Sequence, residues 1–356
     1  MRKSILVLLL ALFMGGCSAQ TPKVEISSAD RSQIMEAVTA IPNESSKFYR
    51  KSLKENLELL SNKQYDKLEK IAAALRASKE KYASGRWKLD SFYSSFNVES
   101  RKKTKEATDK EFQTRFQQLN AWAAARPDEV TAKVALAGLY QKYAWFARGG
   151  GYANTVSENG WKLMAERNAA ALKILKELQA NPKKDPRVYY LLLQTAKDEN
   201  YDKAQYAEIF DESVKLFPDY KTAYYAKVLD LQPRWGGEDG EWERFIKETA
   251  DKASGIEGDK FYAQMVWAVI STRWYSDKNI FKEFQLDYPR IKRGMEALRS
   301  SHPDSLEALS AFCSMASQAG DKVTAVKLFT ELEGSLDKEI WSSEATFKYW
   351  RDWVCG

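Results

Sequence analysis

The stretch SHPDSLEALSAFCSMASQAGDKVTAVKLFTEL, residues 301–332, decides the fold. Pro303-Asp304-Ser305 opens a helix that carries Leu309, Phe312, Cys313 and Ala316 on one face, the spacing of an amphipathic helix. Ala319-Gly320-Asp321 turns the chain, and a second helix presents Val323, Ala325, Val326, Leu328, Phe329 and Leu332. Small Cys313 and Ala325 let the two backbones approach, while Leu309 and Phe329 fill the space beside them. A helical hairpin with one sticky side follows.

Working outward, the same pattern recurs. Asp185-Pro186 starts a helix with Tyr189, Leu192, Leu193 and Ala196, then a turn at Asp198-Glu199-Asn200 and a second helix with Tyr206, Phe210, Ser213 and Leu216. Asp219 stands 34 positions after Asp185, and Tyr224-Tyr225 repeats Tyr189-Tyr190. Upstream, Pro127-Asp128 leads into Val134, Ala137, Gly138 and Tyr140, with a partner helix from about Trp161 to Asn181-Pro182. The pairs Pro127-Asp128, Asp185-Pro186, Pro218-Asp219 and Pro303-Asp304 are expected at helix starts, where proline loses no hydrogen bond and an acid suits the positive helix end. This order of small residue, turn, small residue and aromatic resembles the tetratricopeptide repeat, a two-helix unit of about 34 residues. The expected fold is all-α, a tetratricopeptide-like helical-hairpin solenoid with a C-terminal capping helix; the alternative is an irregular helical bundle.

The expected organisation has five parts: a signal over 1–16, a tether over 17–28, an N-terminal helical region over 29–126, repeats over 127–337 and a capping helix over 338–356. In the N-terminal region Asn43 to Leu60, Tyr65 to Tyr82 and Glu106 to Arg126 look helical, with breaks at Asn62-Lys63 and Ser84-Gly85. The charged run Glu99 to Lys110 suits a solvated loop and helix start. The end carries Ile340, Trp341, Phe347, Trp350 and Trp353 on what reads as one helix from Lys338 to Val354.

The start of the chain sets the compartment. Met1-Arg2-Lys3 gives a positive head, Ile5 to Phe13 an apolar run too short for a permanent span, and Met14-Gly15-Gly16 small residues before Cys17. This segment resembles a lipoprotein signal, with Met14 where leucine is usual. The resemblance implies acylation of Cys17 and anchoring in a bacterial envelope membrane; Ser18 after it suggests the outer membrane, with the body facing the periplasm. Cys313 and Cys355 then remain as the pair able to form a disulfide in an oxidising space, with two unpaired thiols as the alternative.

Composition agrees with a packed helical body. The 356 residues are 44% hydrophobic and 13% aromatic, with only 17 glycines and 9 prolines. The net charge of +6 falls to about +4 once Arg2 and Lys3 leave with the signal, weak grounds for nucleic acid, which export also disfavours. The one histidine, His302, lies before Pro303, which leaves no two-histidine metal motif and no catalytic triad with a nucleophile elbow. No phosphate loop or dinucleotide fingerprint is present, and no cofactor or metal is called for.

Two segments stand out. Trp145-Phe146-Ala147-Arg148-Gly149-Gly150-Gly151-Tyr152-Ala153-Asn154-Thr155, with Glu158 and Trp161 beyond, stretches one hairpin turn. Leu231-Gln232-Pro233-Arg234-Trp235-Gly236-Gly237, followed by Glu241 and Trp242, takes the same place in a later hairpin. Structurally, each suits a helix end with a long self-packed loop and an arginine stacked on tryptophan. Functionally, Trp145, Arg148, Gly150, Asn154, Trp161, Arg234 and Trp235 are the candidate binding residues, with arginine as an anion clamp beside bare backbone. Tyr143-Ala144-Trp145-x-Ala147-Arg148-Gly149 with Trp161, together with Pro233-Arg234-Trp235-Gly236-Gly237, is similar to a group of bacterial tetratricopeptide-like proteins known as a domain of unknown function, over roughly Leu57 to Ser310. That resemblance implies the fold and no activity.

The expected function is a non-catalytic interaction scaffold that presents a concave surface to an envelope protein or peptide, anchored through Cys17. Second stands a small-ligand or glycan binder using the Arg/Trp/Gly loops. Third stands an envelope hydrolase, for which Glu158 and Glu241 would have to face one cleft.

Overall fold

The computed structural model describes residues 24–99, 103–272 and 279–356; the signal segment and Cys17 lie outside the described residues. The protein is all-helical, and the one sheet among the described residues is a pair of two-residue strands. The N-terminal part runs through α1 (Ser28–Ile34), β1 (Thr39–Ala40), α2 (Glu44–Ser61), α3 (Tyr65–Ser78), α4 (Lys88–Ser94) and α5 (Lys105–Ala125). Then follow α6 (Thr131–Arg148), α7 (Glu158–Ala180), α8 (Pro186–Asp198), α9 (Lys203–Leu216), α10 (Lys221–Asp230), α11 (Glu241–Ala253) and α12 (Gly255–Ile270). After α13 (Ile280–Glu283) come α14 (Tyr288–Ser301), α15 (Leu306–Ala319), α16 (Lys322–Leu332), β2 (Ser335–Leu336), α17 (Lys338–Trp341) and α18 (Glu344–Cys355). Helix starts are chemically marked: the side chains of Asn43, Ser157, Asp185, Asp202, Ser305 and Asp321 each accept a backbone N–H of the first turn.

Helices pair in sequence, α6 with α7, α8 with α9, α10 with α11, α12 with α14 and α15 with α16. Within this row α6 packs on α8, α8 on α10 and α10 on α12, so these four form an inner layer. The joints between pairs repeat closely. Arg126, Phe217 and His302 end α5, α9 and α14 at φ/ψ of −136/64, −135/65 and −136/65. Each precedes Pro-Asp, and its carbonyl accepts the N–H three residues on, from Glu129, Tyr220 and Ser305, at 3.1, 3.0 and 3.1 Å. Proline drives the residue before it out of the helical region, which ends one helix and sets a tight turn before the next. Here the proline expectation needs correcting. Pro186 alone stands at a first helical position, whereas Pro127, Pro218 and Pro303 lie in these turns, ahead of their helices. His302 serves as such a joint, its Nδ1 3.2 Å from the Leu298 carbonyl.

Residues 81–98, which form a strap around α4, lie against the starts of the inner helices. Gly85 at φ 83° makes the bend that the Lys81–Trp87 bridge closes. Asp90 accepts from Arg187 (3.1 Å), Thr222 (2.6 Å) and Tyr220. The Tyr93 hydroxyl and Arg76 both donate to Asp185, at 2.5 and 2.8 Å. The Trp87 indole donates to the Asp219 carbonyl at 3.1 Å, and Gln264 donates to the Ala83 carbonyl at 2.9 Å. Trp87, Phe92 and Phe96 are fully buried, so the strap is held by apolar packing as well as by hydrogen bonds.

The first and last described segments meet. β1 and β2 pair in parallel, Thr39 opposite Ser335 and Ala40 opposite Leu336. Asn43 donates to Asp337 at 2.8 Å, Gln33 to Glu333 at 2.6 Å, and Ser305 to Glu44. α1 packs on α16 and α18, and α2 reaches α15. The single terminal helix expected over 338–354 is broken. Ser342 takes φ 62°, ψ −44°, the Ser343 N–H reaches the Trp341 carbonyl at 2.6 Å, and Ser343 caps a new helix. The bend brings Phe329, Trp341 and Phe347 into mutual contact, with centroids 5.2–5.6 Å apart. Of the two alternatives for the cysteines the structure has the unpaired one: Cys313 and Cys355 are both buried free thiols. Cys313 lies mid-way along α15 at 0% exposure, whereas Cys355 ends α18, and burial pushes both thiols upward in pKa.

Candidate functional site

Three successive inner helices, α6, α8 and α10, deliver one rim. Arg148 is the last residue of α6 and Lys197 sits in the last turn of α8, positions where the negative helix end favours a cation. Gly149 then adopts φ 80°, open to glycine and strained for other residues, and lets the chain leave α6 as a loop with a short 3-10 turn at Ala153–Thr155. After α10 a second 3-10 turn, Pro233–Trp235, carries Arg234 and Trp235. Gly237 behind it has no room for a side chain, because a Cβ there would stand 2.0 Å from the Leu231 carbonyl oxygen.

These segments enclose a cleft of about 850 Å³ lined by Trp145, Arg148, Tyr152, Lys197, Arg234 and Trp235, with the three glycines along one wall. The Trp145 and Trp235 rings stand edge to face, centroids 6.4 Å apart. The Arg148 guanidinium lies 5.1 Å from the Trp145 ring and 5.0 Å from that of Trp161. Its Nη1 donates to the Gly149 and Gly151 carbonyls, at 3.2 and 2.9 Å. Both bonds use the same nitrogen of the fork. The Lys197 ammonium lies 3.9 Å from the Trp235 ring centroid and 5.7 Å from that of Trp145.

Asp198 lies behind this rim, its carboxylate accepting the Trp145 indole N–H at 2.7 Å and 3.6 Å from Lys197. Burial pulls the Lys197 ammonium down and pushes the Asp198 carboxyl up, so the pair does not fully offset the loss of water around each charge. Among the described residues the cleft lining carries three basic side chains and no carboxylate, with the Asp198 carboxylate just behind Lys197.

Trp145, Arg148, Gly150, Arg234 and Trp235 of the sequence-derived set meet at this cleft, and Trp161, at 40% exposure, joins through Arg148. Asn154 does not line it and is exposed in the 3-10 turn. Of the two candidate acids, Glu158 and Glu241 each occupy a helix first turn outside the cleft lining. Slight burial raises Glu241, but the Glu238 N–H and Lys203 outweigh it and hold its carboxyl below the usual range. Sequence reasoning missed Lys197 and Asp198. Their signal was a Lys-Asp pair ending the helix between the two glycine loops. No family model, no curated protein and no solved structure matches the chain.

Proposed function

We propose that this protein is a non-catalytic lipoprotein of the bacterial envelope, anchored through Cys17, that binds an anionic ligand, with an acidic glycan as the favoured class. One observation carries this: arginines and tryptophans from two separate hairpins converge on a single cleft with Lys197 between them. Flat rings suit the apolar faces of a sugar, and the guanidinium fork suits a carboxylate or sulfate. The body is a tetratricopeptide-like stack of hairpins, supported by the three matching Pro-Asp joints.

A protein partner offering an acidic segment is the second reading, favoured by Tyr152 at 78% exposure on the cleft rim. A peptide laid along the inner face is less well supported, because the strap already lies against α8 and α10. Titration of the full-length chain with a galacturonic acid oligomer and with the matched neutral galactose oligomer tests the proposal. Saturable binding of the acidic oligomer, reduced at least tenfold by Arg148→Ala with Arg234→Ala, is expected. Equal binding of both oligomers, or no effect of the two substitutions, would remove the cleft from consideration. If no oligomer binds but crosslinking in native envelope depends on Arg148 and Arg234, the protein-partner reading takes its place.

A further inference from the structure

A second cavity lies beside the strap and differs from the cleft in charge. About 280 Å³ of space is lined by Ser84, Arg86, Tyr225, Trp267, Glu307 and Glu339, and a neighbouring space of about 380 Å³ shares Arg86, Tyr225 and Glu339. Folded proteins leave few buried polar atoms without a partner. Two occur in this lining. Glu307 is 5% exposed and its Oε2 has no hydrogen-bond partner; Ser84 is 7% exposed and its Oγ has none either. Burial pushes the Glu307 carboxyl up to about 7, against the pull of Arg86, with Glu44 and Asp337 adding to the rise.

Arg86 lines the same space, is exposed, and makes no side-chain hydrogen bond or ion pair to another described residue. The rest of the wall is apolar, with Val228, Leu229, Trp267 and Ile340. The cavity thus offers a guanidinium, a carboxyl group with an unmet acceptor, an unmet hydroxyl and a greasy side. A purely anionic ligand would leave Glu307 unsatisfied, and a simple amine would leave Arg86 unused. An ammonium carries three donors, enough for the Glu307 Oε2 and the Ser84 Oγ together.

We propose that this cavity binds a small zwitterion, an apolar amino acid or dipeptide, with its carboxylate on Arg86, its ammonium on Glu307 and Ser84, and its side chain against Leu229 and Trp267. The site is independent of the tryptophan cleft and of any ligand there.

Calorimetric titration of the full-length chain in detergent micelles tests it, using leucine, leucyl-leucine, leucinamide and 4-methylpentanoate. Leucine or leucyl-leucine should bind saturably. Leucinamide, which lacks the carboxylate, and 4-methylpentanoate, which lacks the ammonium, should each bind at least tenfold more weakly. Arg86→Met and Glu307→Gln should each weaken the zwitterion by at least tenfold. No binding by either zwitterion, 4-methylpentanoate binding as tightly as leucine, or unchanged affinity in Arg86→Met would overturn the proposal. Arg86 is exposed, so that variant keeps the test decisive even if Glu307→Gln perturbs folding.

Discussion

Asp90 and Arg187 meet at 3.1 Å inside the molecule, one from the strap and one from the first turn of α8. Both side chains are almost wholly buried, and the same carboxylate takes the Tyr220 and Thr222 hydroxyls. Removing one partner of such a pair strands the other charge without water, a loss of about 3–5 kcal/mol. Asp90→Ala should therefore lower the unfolding free energy by about that amount in urea titration, and Asp90→Asn by less, since it keeps an acceptor. Equal stability of Asp90→Ala and wild type would show that the strap is not held through this group.

Stability should also depend on pH in an unusual direction. Burial raises the carboxyl of Glu307 to about 7 and that of Asp337 to about 6, from ordinary values of 4.5 and 3.8. Arg86, Glu44 and Asp337 face Glu307; Glu339 and Glu44 face Asp337, which Asn43 hydrogen-bonds. Between about pH 4 and 7 the folded state thus holds more protons than the unfolded one, and stability falls as pH rises through that window. Against its own burial, Asp321 is held down to about 2 by Lys292 and Thr324, so its contribution disappears only in stronger acid. The melting temperature is expected to peak near pH 4 and to decline by pH 8, with a flatter profile in Glu307→Gln. A steady rise from pH 5 to 8 would contradict this.

At Gly294 α14 packs directly on the backbone of α12. A Cβ there would stand 2.2 Å from the Asp259 carbonyl oxygen and 2.9 Å from the Ala263 Cβ. Alanine in a helix normally gains up to about 1 kcal/mol over glycine. Overpacking costs about 1–3 kcal/mol. Gly294→Ala is accordingly expected to destabilise, read as a lower urea midpoint with unchanged slope.

Ser342 occupies the centre of a three-residue turn at φ 62°, a conformation that side chains resist. Ser342→Gly should relieve it and stabilise by about 1 kcal/mol. Calorimetry on the two proteins would detect the rise in melting temperature, and a fall would mean that the serine side chain supports the bend.

Much of the helix inventory is legible from spacing: Leu309, Phe312, Cys313 and Ala316 mark the buried face of α15 without reference to any other part of the chain. The Arg148 and Arg234 loops are legible too, because glycine runs beside tryptophan are locally unusual. Their convergence is not, since it depends on how far each hairpin turns relative to the last, a quantity set by packing between layers. The strap was missed for a related reason. Trp87, Phe92 and Phe96 follow the break at Ser84-Gly85 in a segment to which spacing assigns no element, yet Asp90 and Ala83 find their partners in α8, α10 and α12. A Cys313–Cys355 bond was open to sequence because spacing carries no direction, and only the placement of the two thiols settles the matter.

The seam between β1 and β2 alters how the molecule should come apart. An open stack of similar units sheds its terminal members first, because each end unit has one neighbour to lose. Here the first and last described segments grip each other through Thr39–Ser335, Asn43–Asp337 and Glu44–Ser305, so neither of the two is loose to begin peeling. Heat or denaturant must break the clasp before any unit is released, which favours one sharp collapse over a gradual melt from the tips.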